Sequence, residues 1–83
     1  MFLRTEEELV AQIKEDKENI EYYDWRITRL RDEYSENMYP MTYREFEKEC
    51  AKYESFKVKC QKRIDKNSKK LEAMRAAKQN GNS

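Results

Sequence analysis

Two apolar ladders run through this chain, and a single break at Tyr39-Pro40-Met41-Thr42 separates them. The first passes through Leu9, Ile13, Asp16, Ile20, Tyr23, Ile27, Leu30 and Tyr34. The second passes through Phe46, Cys50, Tyr53, Lys57, Cys60, Ile64, Asn67, Leu71 and Met74. Steps of four and three alternate throughout, which is the spacing of a coiled-coil seam. The expected fold is all-α: a two-helix antiparallel coiled-coil hairpin that self-associates into a helical bundle.

The helix limits follow from local chemistry. Thr5 is placed to cap the first helix, with Glu8 three residues on to complete a capping box. Glu6, Glu7 and Glu8 bring negative charge to the positive end of the helix dipole. Tyr39 precedes a proline and is driven out of the helical region. Thr42 and Glu45 repeat the box, and Met41 and Phe46 have staple spacing. The expected limits are helix 5–37, turn 38–41, helix 42–78 and a frayed tail 79–83.

Charge selects the orientation. Residues 5–24 hold eight acidic side chains against two lysines, and residues 57–78 hold nine basic side chains against two acidic ones. An antiparallel return lays these segments side by side. The expected layers pair Leu30 with Phe46, Ile27 with Cys50, Tyr23 with Tyr53, Ile13 with Ile64 and Leu9 with Asn67. Asp16 then faces Cys60, with Lys57 near enough to pair across the hairpin. Arg26 flanks Glu49, Arg31 flanks Glu47, and Asp24 beside Glu54 is a mismatch. Each surface pair contributes only about 0–1 kcal/mol, so the pattern selects register more than it stabilises.

Composition bounds what such a hairpin can be. The chain has 83 residues, 37% hydrophobic and 42% charged, with a net charge of +1. One seam is a small core, and scaffolds of this size are usually reinforced by a disulfide, a metal or oligomerisation. Cys50 and Cys60 lie about 15 Å apart along one helix, beyond the ~7 Å reach of a disulfide. They read as seam hydrophobes in a reducing compartment. Without a signal peptide or an apolar span, the expected location is cytoplasmic.

Catalysis has little to stand on. There is no histidine, so the usual general base and metal ligand is missing. The cysteine spacing fits no zinc pattern. The one glycine, Gly81, excludes a glycine-rich phosphate loop. The expectation is a non-enzyme with neither cofactor nor metal.

The residues left over by the ladders carry the functional reading. Trp25 falls opposite the seam, with Tyr22 and Arg29 on the same helical stripe. Exposed Trp, Tyr and Arg together have the composition of an interface hot spot. Phe56 falls off the second ladder, and Tyr39, Met41 and Tyr43 gather at the hairpin tip. These seven are the expected protein-binding residues. The leading expectation is a non-enzymatic protein–protein interaction module: a small regulator, inhibitor or adaptor that binds a larger protein. By size and composition it is of the kind met among phage and mobile-element accessory proteins, an analogy only. Self-association, as a dimer or four-helix bundle, competes for the same residues.

The basic stretch offers an alternative. Lys59, Lys62, Arg63, Lys66, Lys69 and Lys70 make an electrostatic footprint for nucleic acid. The plainer reading is that they neutralise the acidic start of helix one, and the near-zero net charge favours it. A weaker alternative is an anionic small ligand held between subunits by Lys and Arg.

Overall fold

The computed structural model describes residues 5–36 and 41–81. Two helices pack against each other as a hairpin: α1, Glu6–Ser35, and α2, Tyr43–Gly81. Among the described residues there is no strand. The molecule is a rod of 63 × 19 × 17 Å.

Both helix starts follow from their caps. Thr5 is extended at φ −74°, ψ 163°, and its hydroxyl accepts from the Glu8 N–H at 3.2 Å. At α2 the box is reciprocal. The Thr42 hydroxyl accepts from the Glu45 N–H at 3.2 Å, while the Glu45 carboxylate accepts from the Thr42 N–H at 3.4 Å.

The ends differ from expectation. Helix α1 stops at Ser35 rather than 37, where the Glu36 N–H donates to the Asp32 carbonyl at 3.0 Å. No basic side chain sits in its last turn to favour a longer helix. Helix α2 runs on past Lys78 to Gly81. Ala76, Ala77 and Lys78 are strong helix formers and carry it there. Asn37, Met38, Tyr39 and Pro40 lie outside the described residues.

The seam is built from the ladder residues, but Phe46 stacks on Tyr34, one ladder step from the Leu30 expected opposite it. Leu9, Ile27 and Leu30 of α1 are buried with Cys60, Ile64 and Leu71 of α2. Burying each large aliphatic side chain contributes about 1.5–3 kcal/mol. The half of the seam near the turn is aromatic. Tyr34 stacks on Phe46 with centroids 4.6 Å apart, and Tyr23 meets Tyr53 at 5.9 Å. These contacts can form only in an antiparallel pair. Cys50 and Cys60 are both free thiols.

The charged seam positions pair differently from expectation. Asp16 is fully buried, but its partner is Arg63, whose Nη2 lies 2.9 Å from Asp16 Oδ1. Gln12 Nε2 donates to the other carboxylate oxygen at 3.4 Å. Lys57 turns instead to Asp24 and reaches Glu54 at 3.7 Å. A lysine at a seam position keeps its stem on apolar surface and extends its ammonium outward. The Asp24–Glu54 mismatch is thereby bridged by one cation. Neither an Arg26–Glu49 nor an Arg31–Glu47 ion pair forms among the described residues. Arg26 donates to the Tyr53 hydroxyl at 3.3 Å. No described helix is long and apolar enough to cross a membrane.

Candidate interaction surface

An α-helix turns 100° per residue, so positions three and four apart share a face. Tyr22, Trp25 and Arg29 have that spacing, and they lie on the side of α1 away from α2. Tyr22 and Trp25 are each 53% exposed. Their ring centroids are 6.2 Å apart. Arg29 lays its guanidinium 5.9 Å from the Trp25 ring centroid. Its Nε is held by Glu33 Oε1 at 3.2 Å, one turn further on. The stripe is therefore ordered by its own contacts, and Tyr22 is steadied from behind by Tyr23 at 5.6 Å. Preorganised side chains lose less entropy on binding.

Phe56 is not part of that surface. It is half-buried beside the seam, with its ring 5.3 Å from Tyr23 and 6.2 Å from Tyr53. Heptad spacing puts Phe56 next to the ladder, where it meets the Tyr23 ring of the antiparallel partner and the Tyr53 ring one turn back on its own helix. Lys59 caps its outer side, 6.0 Å from the centroid.

The three tip residues separate as well. Tyr39 lies outside the described residues. Met41 is half-buried and shares a shallow recess with Arg26, Leu30, Glu33, Glu45 and Glu49. Arg26 Nε on the wall of that recess has no hydrogen-bond partner among the described residues. Tyr43 is 60% exposed, yet it leans on Tyr34 and Phe46 at 6.3 and 6.4 Å. The Glu47 carboxylate holds its phenol above the ordinary range.

The basic residues divide between two roles. Arg63 is committed inward: it serves Asp16, contacts Cys60 Sγ at 3.6 Å, and is held in its charged form by Asp16. Lys59, Lys62, Lys66, Lys69 and Lys70 are exposed, and none enters an ion pair among the described residues. Three ion pairs cross the hairpin among those residues: Asp16–Arg63, Asp24–Lys57 and Glu6–Lys78. Most charge on the acidic and basic segments thus points away from the partner helix. Summing charge by segment missed this, whereas plotting each charge around its helix would have found it.

Among the described residues, no group of three or more Cys, Asp or Glu side chains is placed to hold a metal ion. No family model, curated protein or solved structure matches this chain.

Proposed function

We propose that this hairpin is a non-enzymatic protein–protein interaction module, a small regulator, inhibitor or adaptor. It acts by presenting the outer face of α1. The observation that carries this reading is the Tyr22–Trp25–Arg29 stripe. Two large aromatics stand half in solvent with an arginine already laid on one of them. Such groups gain most when a partner removes them from water. The ladders give these residues no role in the seam, so folding does not require them. The test is affinity capture from the native cells with wild type, Trp25→Ala and Tyr22→Ala. The reading expects bound proteins to be lost from both variants while helicity is kept. An unchanged set of bound proteins would contradict it.

A second reading, nucleic-acid binding, rests on Lys59, Lys62, Lys66, Lys69 and Lys70, exposed on α2 and outside ion pairs among the described residues. Fluorescence anisotropy with labelled DNA or RNA tests it. Binding by several lysines weakens steeply as salt rises, because bound counterions are released. Absence of binding at low salt would remove this reading.

A further inference from the structure

The two outer faces of the rod carry opposite charge. On the α1 side stand Glu15, Glu18, Glu21 and Asp32, all exposed and none in an ion pair among the described residues. Lys14 and Lys17 are also on this stretch of α1. On the α2 side stand Lys48, Lys59, Lys62, Lys66 and Lys69, exposed and likewise outside ion pairs. Glu47, Asp65 and Glu72 are also exposed on this stretch of α2, so these lysines outnumber these carboxylates five to three. Over the whole chain 18 basic and 17 acidic side chains leave a net charge of +1, so the two faces are local excesses within a nearly neutral molecule.

Relief is complementary too. The α1 face projects Tyr22 and Trp25. The α2 face has an exposed stretch of small side chains, Ala51, Ser55 and Val58, the last 52% exposed. The hairpin's own register relates their heights. Tyr23 meets Tyr53, and Asp16 meets Arg63. At 1.5 Å rise per residue, Ser55 and Val58 therefore sit close to the level of Tyr22 and Trp25. Lys59, Lys62 and Lys66 sit close to the level of Glu15 and Glu18.

From this pattern we infer that the occupant of the α1 face is the α2 face of a second copy of this chain. The inference rests on the reading of the Tyr22–Trp25 stripe as a contact surface, and it names the partner. A second hairpin displaced sideways, with no shift along the rod, sets Trp25 and Tyr22 over Ala51, Ser55 and Val58. The same placement sets Glu15 and Glu18 against Lys59, Lys62 and Lys66. The two surfaces lie on opposite sides of each molecule, so the contact is heterologous. It leaves one acidic and one basic face free, and repeats as an open stack unless the rotation closes a ring. This differs from a closed dimer. Two α1 faces brought together would oppose like charges.

Light scattering after size exclusion tests it, with three proteins: wild type, the acidic-face variant E15Q/E18Q/E21Q and the basic-face variant K59Q/K62Q/K66Q. All substitutions are at exposed positions, and circular dichroism checks the fold of each. At about 0.01 M salt the Debye length is about 30 Å, and at about 1 M it is about 3 Å. Wild-type mass is expected to rise with concentration beyond a dimer at low salt and return to monomer at high salt. Each variant alone stays monomeric at low salt. Mixed, they form a 1:1 complex and nothing larger, since each has one intact face.

Several results would overturn the inference. These are a monomeric wild type at low salt, a dimer that persists at high salt, and variants that stay apart when mixed. A monomer that binds nucleic acid only while Lys59, Lys62 and Lys66 are present would give the basic face to that ligand instead. Loss of native bound proteins from Trp25→Ala, with wild type monomeric throughout, would leave the contact-surface reading standing and remove the self-association.

Discussion

Arg63 Nη2 stands 2.9 Å from Oδ1 of Asp16, a carboxylate with 0% exposure in the middle of an apolar seam. The arginine itself remains 56% exposed. An exposed cation therefore serves a buried anion, and the two changes that break the pair have unequal effects. Arg63→Met leaves the Asp16 carboxylate buried without its partner. An unsatisfied buried acceptor costs about 1–3 kcal/mol, which lowers the melting temperature by roughly 5–15 °C in a domain of this size. The double variant D16L/R63M removes both charges and is expected to melt at or above the wild-type temperature. Thermal denaturation followed by circular dichroism compares the three. A single Arg63→Met with wild-type stability would contradict the pairing.

The seam's stability rests on few side chains. Ile27 is 4% exposed and lies in the turn-side half of the first ladder. Ile27→Ala is expected to cost about 2–3 kcal/mol, the low end for core truncations, because a single-seam hairpin can close around the cavity. Urea denaturation measures it. Val58→Ala, at an exposed position, is expected to change stability by under about 0.5 kcal/mol.

Lys57 gives the hairpin an alkaline limit. The hydrogen bond to Asp24 raises its pKa above the ordinary 10.5, against the opposing effect of burial. A raised pKa in the folded state means that the contribution is complete below about pH 10.5. It is lost as pH climbs through the folded value. The gap in melting temperature between wild type and Lys57→Met is therefore expected to be constant near neutrality and to shrink above pH 10.5. A gap that widened there would reverse the assignment.

Burial pushes the Cys50 thiol up, with Arg31 opposing that effect, and Cys60 is 3% exposed. A thiol reagent at neutral pH is expected to label both cysteines at least ~10-fold more slowly in the folded hairpin than in denaturant. Mass spectrometry of timed samples gives the rates. Fast labelling of Cys60 in the folded protein would place it outside the seam.

The parts of this structure that a sequence discloses are those with a period. Leu9, Ile27, Leu30, Ile64 and Leu71 are legible because seam burial demands steps of three and four. Thr5 and Thr42 are legible because a cap needs a specific side chain at a specific distance. Which cation finds Asp16 is a question of reach. Heptad spacing fixes layers, but the flexible stems of Lys57 and Arg63 decide between neighbouring carboxylates. Phe56 is less legible for a similar reason, since the position beside a ladder is covered only when the partner helix offers a side chain such as Tyr23 to meet it. The stripe of Tyr22, Trp25 and Arg29 was visible as a departure from the ladder. The opposition of two charged faces needed each charge placed around its helix as well as along the chain.

Trp25 is the only tryptophan in the chain, so its fluorescence reports on the proposed contact surface alone. Acrylamide quenching measured on the dilute hairpin at high salt, and again on the hairpin in complex with whatever protein it binds, tests the surface directly. Quenching in the dilute hairpin is expected to match a half-exposed indole, and the complex is expected to protect it strongly. Equal quenching in both would show that association leaves Trp25 in solvent, and would contradict the assignment of this face.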